Sequence, residues 1–445
     1  MDSTEDRNFS WFSIFRLGLV QAALGAIVVL TTSTLNRVMV VELALAAMIP
    51  GALVTLHHGM QLLRPRMGYG SDVGQRRTPF IVGGMAVLAV GGTLAAFATT
   101  LIAGHFVLGL VVSILAYALI GGGVSAAGTS LLVLMAKRVA PERRAAAATM
   151  VWMMMILGFA LTAGIAGGLL DPYSSERLLA VTGGVSTMAL VLTLVAMFRL
   201  EGEALAPPAE PEAKPAFREA LAQVWGESEA RRFTIFIFVS MLAYSAQDLI
   251  LEPFAGAVFG FTPGESTSLA GTQHGGAFLG MALVALVTQV FKGSPLASLK
   301  GWVVGGCVAS GLALLGLVAG GFVGPSWPLK ANVFALGLAN GAFAIAAIAA
   351  MMALATEGRG AREGTRMGLW GASQAIAMGA GGFLGTVLVD GANFALGERT
   401  AAAYVLVFAL EAVGFFVAQA LAQRMRFPGP ERREPAFHPA LADAE

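Results

Sequence analysis

The sequence predicts an all-α membrane protein, with twelve transmembrane helices in two six-helix repeats and both termini cytoplasmic. Three observations predict it. Of 445 residues, 56% are hydrophobic and 12% charged, about half the charged share of a soluble globular chain, and mean hydropathy is +0.74. Apolar runs of about 20 residues, enough to cross a bilayer as helix, recur along the chain. Basic residues gather between alternate runs, the asymmetry that orients membrane helices.

The spans are expected near 16–41, 44–63, 79–102, 105–136, 145–170 and 177–198, and then near 232–257, 266–291, 298–322, 328–356, 366–390 and 400–424. The runs 105–136 and 328–356 are long enough to hide a turn. With the N-terminus inside, the outer loops hold only Arg37, Arg177, Lys330 and Arg399 of the 28 Lys and Arg. A wrong span count would scramble that asymmetry. The chain divides into an N-terminal bundle (1–198), a cytoplasmic linker (199–231), a C-terminal bundle (232–424) and a cytoplasmic tail (425–445). The linker's first half is rich in Pro, Ala and Glu, the composition of an extended connector. Its second half places Phe217, Leu221, Val224 and Trp225 at helical spacing, as in a helix lying on the membrane surface or packed on the protein.

Net charge is +1 and gives no basis for a nucleic-acid partner. Cys307, the single cysteine, lies in an apolar run and supports neither a disulfide nor a zinc cluster. The opening MDSTEDRNFSWF is polar and acidic without a cleavage-site pattern, so no signal peptide is expected there.

Self-similarity supports the two repeats. Arg144 precedes Trp152 by eight residues, as Arg362 precedes Trp370. Gly164 and Gly382 follow those tryptophans by twelve residues, Gly167 and Gly385 by fifteen, and Asp171 and Asp390 close the spans. Gly123 and Gly341 hold matching places in the fourth and tenth spans. Gly158, Gly164, Gly167, Gly168, Gly379, Gly381, Gly382 and Gly385 are expected to let helices approach closely. Two such repeats match the major facilitator arrangement. The loop GYGSDVGQRR resembles that superfamily's conformational loop through Gly68, Asp72, Arg76 and Arg77, with Gly74 one residue early. The resemblance implies a loop that binds a neighbouring helix end and holds one arrangement of the halves.

Charges within spans need partners or a function. Asn36-Arg37 in the first span aligns with Gln247-Asp248 in the seventh, and Glu252 follows Asp248 by four residues, on the same helix face. An ion pair is expected between Arg37 and Asp248 or Glu252, unless each is solvated at its own helix end. No other span has a central acid except the twelfth, with Glu411.

His57 and His58 stand in the second span. Adjacent helical residues point about 100° apart, so the two do not share one ligand. His274, in GTQHGGAFLG, looks like a counterpart of His58. Hydropathy, however, puts His274 near the outer end of its span and His58 near the inner end, and the pair is not expected to be equivalent.

At LGAIVVLTTSTLNRVMVVELAL, GTSLLVLMAKRVAPERRAAAATMVWMMMILG and AYSAQDLILEPFAG the chain resembles the PucC/LhaA family, a major facilitator branch of phototrophic bacteria. It is most similar to the branch known as a bacteriochlorophyll synthase subunit. The resemblance runs from about Arg16 to Arg424, and implies bacteriochlorophyll delivery or light-harvesting complex assembly in the inner or intracytoplasmic photosynthetic membrane. Bound bacteriochlorophyll or a precursor, membrane lipid, antenna polypeptides and bacteriochlorophyll synthase are the implied ligands and partners. His58, and behind it His57 and His274, are then candidates to give a neutral imidazole to a magnesium tetrapyrrole. Transport of a small solute and a non-catalytic place in a synthase complex are the alternatives. Prenyl transfer would need aspartate pairs holding magnesium against a diphosphate. The one Asp-x-x-x-Asp here is Asp2 to Asp6, in the terminal tail, so catalysis by this chain alone is not expected.

Overall fold

A computed structural model describes residues 8–64, 76–140, 143–202, 225–291, 294–357, 363–397 and 400–427. Among them regular structure is helical throughout. In chain order the helices are α1 (Trp11–Glu42), α2 (Met48–Gly59), α3 (Thr78–Gly104), α4 (Phe106–Arg138), α5 (Arg144–Leu170), α6 (Ser175–Met197), α7 (Ser228–Phe259), α8 (Pro263–Val290), α9 (Leu299–Val323), α10 (Leu329–Glu357), α11 (Glu363–Ala395) and α12 (Thr400–Gln423). Among the described residues, 11 helices are long and apolar enough to cross a membrane. Of the helices named above, α2 is the exception: it has 12 residues and continues as a 3-10 turn, Met60–Leu63. The chain is a multi-pass membrane protein.

The expected spans fall on these helices with ends shifted by a few residues. The second starts late because Leu43–Ala47 breaks from helix before Pro50, which sits in the first turn of α2, where its missing N–H costs nothing. The fourth and tenth runs hide no turn: α4 and α10 run unbroken over 33 and 29 residues. The linker helix lies outside the described residues except for Trp225, which is exposed.

One feature of α1 has no counterpart in the apolar pattern. Leu30–Thr34 and Val38–Glu42 are π-helical turns, whose i→i+5 bonding is rare and concentrates at functional sites. Tyr117 Oη of α4 donates to Thr31 O at 2.8 Å, anchoring a carbonyl of the first π turn.

Buried side chains form two main cores, one largely from α1–α6 and one largely from α7–α12. Backbones approach closely where side chains are missing. A methyl on Gly84 would stand 2.6 Å from Ala127 N, and one on Gly123 2.6 Å from Gly84 O, so α3 and α4 interlock. Of the glycines expected to pack, Gly158 lies against Ala22 O, Gly167 against Gly264 O and Gly381 against Leu242 O. Gly168 instead borders open space.

The start of α1 and the end of α12 mark one face of the bundle, the terminal face, which is tied by long-range bonds. Arg16 donates from Nε to Ala196 O at 2.9 Å and from its other end to Phe198 O. Glu201, just past α6, accepts from Arg77 N at 2.5 Å and from Thr78 N at 2.8 Å, capping α3. Arg366 of α11 is paired in a fork with Glu227 before α7, at 2.8 and 2.9 Å.

Candidate ligand-binding site

The candidate site lies where α1–α6 meet α7–α12. Two seams flank a central contact: α5 packs on α8, α2 packs on α11, and α1 crosses α7.

At the far face, opposite the terminal face, each seam is closed by a carboxylate on a helix start. Asp390, late in α11, accepts from Ala47 N at 3.0 Å and Met48 N at 2.7 Å. Asp171, after α5, accepts from Thr262 Oγ1 at 2.8 Å and Gly264 N at 3.3 Å. Thr262 and Glu265 also form a capping box that fixes the start of α8. A carboxylate at a helix N-terminus satisfies orphan N–H groups and meets the positive end of the dipole. The sequence shows both aspartates as span ends, but nothing local tells that each caps a helix of the other set.

The α1–α7 contact is polar. Ser33 Oγ donates to Glu252 Oε1, Asn36 Nδ2 donates to Leu249 O at 2.7 Å, and Thr34 bonds Thr267 of α8 at 2.9 Å. The expected ion pair is corrected here. Arg37 pairs with Glu42 and donates to Phe261 O at 2.7 Å, not to Asp248 or Glu252. The second π turn explains the exchange: i and i+5 are bonded neighbours in that geometry, so Glu42 comes beneath Arg37. Arg37 still joins the two sets, through a carbonyl. Asp248 is half-buried and makes no hydrogen bond or ion pair with the described residues. Gln247 and Glu411 are buried, and both side-chain polar atoms of each have no partner among the described residues. Because Gly414 of α12 would meet Ala243 at 3.0 Å and α7 and α12 run antiparallel, Glu411 stands level with Gln247.

The three histidines separate. His57 is buried, and its carbonyl lies 2.5 Å from where a methyl on Gly121 of α4 would stand. It faces its own helix set. His58 turns to the seam, 3.5 Å from where a methyl on Gly379 of α11 would be. Gln61 Nε2 reaches both rings, at 3.4 Å from His57 Nε2 and 3.3 Å from His58 Nδ1. His274 lies in the other seam, edge-on to Phe159 of α5 with ring centroids 4.9 Å apart. Among the described residues no three His, Cys, Asp or Glu side chains gather to hold a free metal ion.

Of the expected conformational loop, Gly68 and Asp72 lie outside the described residues. Arg76 is exposed, and Arg77 is buried at the start of α3 beside Glu201. Glu201 carries no motif and escaped the sequence reading.

With the geometry described, comparison places the chain. The PUCC protein family model matches residues 34–428. The chain belongs to the PucC family. A relative named Bacteriochlorophyll synthase 44.5 kDa chain, from Rhodobacter capsulatus, is 53% identical over 412 residues, covering 93% of this chain and 95% of that one. Protein PucC of Cereibacter sphaeroides is 30% identical over 431 residues, covering 91% and 90%. Among solved structures, the peptide transporter POT bound to sulfate has a TM-score of 0.68 at 17% identity, covering 95% and 98%. A bacterial homologue of the human lysosomal transporter Spinster, inward-facing and unoccupied, gives 0.64 at 14% identity, covering 93% and 97%. This PucC-family chain therefore shares the fold of these transporters.

Proposed function

We propose that the chain carries bacteriochlorophyll or a precursor between two six-helix repeats and presents it for light-harvesting complex assembly or pigment synthesis. The observation that carries this reading is the end-to-end likeness to the relative named Bacteriochlorophyll synthase 44.5 kDa chain. The basic asymmetry puts both termini and the linker (199–231) in the cytoplasm. The far face is then the outer one, in the inner or intracytoplasmic photosynthetic membrane. In this reading the bundles 1–198 and 232–424 are the moving parts. Antenna polypeptides and bacteriochlorophyll synthase are the partners this role requires.

The site chemistry agrees with such a cargo. A magnesium tetrapyrrole is a broad apolar body with one metal that accepts a neutral imidazole. His58 and His274 stand half-buried in seams rich in glycine, with His57 behind them. Such a site needs no charged anchor, and few charges are present.

A second reading, transport of a small solute, is favoured by Gln247, Glu411 and Asp248, whose side chains have no hydrogen-bond partner among the described residues, since intramembrane acids mark ion and proton paths. The spectrum of the protein purified from phototrophic membranes separates the two. Co-eluting near-infrared absorption in about stoichiometric amount is the expected result. A colourless protein that exchanges a labelled solute across vesicles would overturn the carrier reading.

A further inference from the structure

Glu411 stands at the middle of α12, eleven residues beyond Thr400 and twelve before Gln423. That is about 17 Å from either helix end, near the centre of a hydrocarbon core about 30 Å thick. The side chain is 5% exposed, and neither carboxylate oxygen has a partner among the described residues. A carboxylate in such surroundings needs a counter-charge or a proton.

Gln247 of α7 is buried at the same level, with Nε2 and Oε1 both without a partner among the described residues. The two helices are close there, since a methyl on Gly414 would meet Ala243 Cβ at 3.0 Å. Ala243 and Gln247 are four residues apart and share the face of α7 turned to α12. Two buried side chains thus bring four unpartnered polar atoms to one level of one helix contact. One proton makes them complementary. A neutral carboxyl has an O–H donor and a C=O acceptor, and a primary amide has an acceptor and an NH2 donor. Side by side, each satisfies the other. An ionised carboxylate offers acceptors only and leaves Gln247 Oε1 without a donor. Among the described residues no third His, Cys, Asp or Glu joins them to hold a metal ion.

Asp248 links this level to the other helix set. It is half-buried without a partner among the described residues, and its charge acts on Glu411 and on Tyr244 and Glu252 of its own helix. Tyr244, Asp248 and Glu252, at four-residue spacing, form one stripe of α7, and Glu252 accepts from Ser33 Oγ of α1. Arg37 of α1 also acts on Glu252 while paired with Glu42. The middle turns of α9, α10 and α11 carry no charged residue or histidine, and His274 of α8 is turned to Phe159.

We infer that Glu411 and Gln247 form a proton-binding pair at the centre of the C-terminal bundle, loaded through Asp248. In loading, the Asp248 carboxyl gives its proton to the Glu411 carboxylate and takes another from water. The proton draws the Glu411 carboxyl and the Gln247 amide into a two-bond pair. It also removes negative charge facing Asp248, whose own field reaches Glu252, so the Ser33–Glu252 bond between the sets senses the state of the pair. This goes beyond the pigment-carrier reading and holds whatever the cargo.

The test is infrared spectroscopy of the full-length protein in detergent, in H2O and after transfer to D2O. The wild type is expected to show the carbonyl stretch of a neutral carboxylic acid, shifted by D2O and absent from the nearly isosteric Glu411→Gln. Gln247→Leu keeps the carboxyl but removes its partner, so the band moves to the higher frequency of an unbonded acid. This variant reads the same band should Glu411→Gln fail to fold. Asp248→Asn is expected to slow the D2O shift about a hundredfold, the scale of a positioned proton-transfer group. A wild type without the band, a band that Glu411→Gln retains, or one that never shifts in D2O overturns the site. An unmoved band in Gln247→Leu overturns the pair, and an unchanged rate in Asp248→Asn overturns the route.

Discussion

Arg366→Leu is expected to lower the stability of the C-terminal bundle by about 3 kcal/mol, read as a fall in the thermal unfolding midpoint in detergent. Arg366 is 1% exposed and grips Glu227, which keeps 29% exposure, in a two-bond fork. Removing the guanidinium leaves a carboxylate only partly able to reach water, so the lower end of the cost for a broken buried pair applies. The pair belongs to a longer stitch. Trp370 Nε1 donates to Ala230 O at 3.3 Å, and Ser373 Oγ donates to Thr234 O at 3.1 Å. Arg366, Trp370 and Ser373 thus share one helical stripe of α11, which lies along the first turns of α7. Replacing both partners, Glu227→Leu with Arg366→Leu, is expected to recover most of the loss, because no charge is then left stranded. A double variant no better than the single one would show that Arg366 acts through other contacts.

Gly341→Leu is expected to yield no monodisperse protein. A methyl there already stands 2.6 Å from Ala277 C and 2.7 Å from Ala277 Cα, and Gly276, Gly280 and Gly337 interlock the same pair of helices. Neither backbone has a flexible atom to move aside, so overpacking costs more than the usual 1–3 kcal/mol or so, and α8 and α10 must separate. Gly275→Ala, one residue before Gly276, is the contrast. Its new methyl meets nothing within 4 Å, so the unfolding midpoint should hold. Size-exclusion profiles and thermal unfolding of the two variants check both halves of this prediction.

The elements were legible because membrane insertion writes itself into composition: long apolar runs and sided basic residues leave few alternative readings. The family was legible in contiguous stretches such as LEPFAG, Leu251 to Gly256. What escaped were relations across the two helix sets. The Arg37–Glu42 pair depends on a π turn that no apolar pattern announces, and the aligned Asp248 was the natural wrong partner. Asp171 and Asp390 were visible as repeat marks, yet their capping of α8 and α2 is a fact of packing. The split of His57 from His58 was legible, since 100° per residue forces it on any helix.

The most direct measurement of the carrier account is transfer. Protein loaded with bacteriochlorophyll, reconstituted in vesicles with pigment-free antenna polypeptides, is predicted to give up its pigment and generate the red-shifted antenna band much faster than free pigment in the same lipid. Antenna formation at the same rate with and without the protein, despite full loading, would contradict the account.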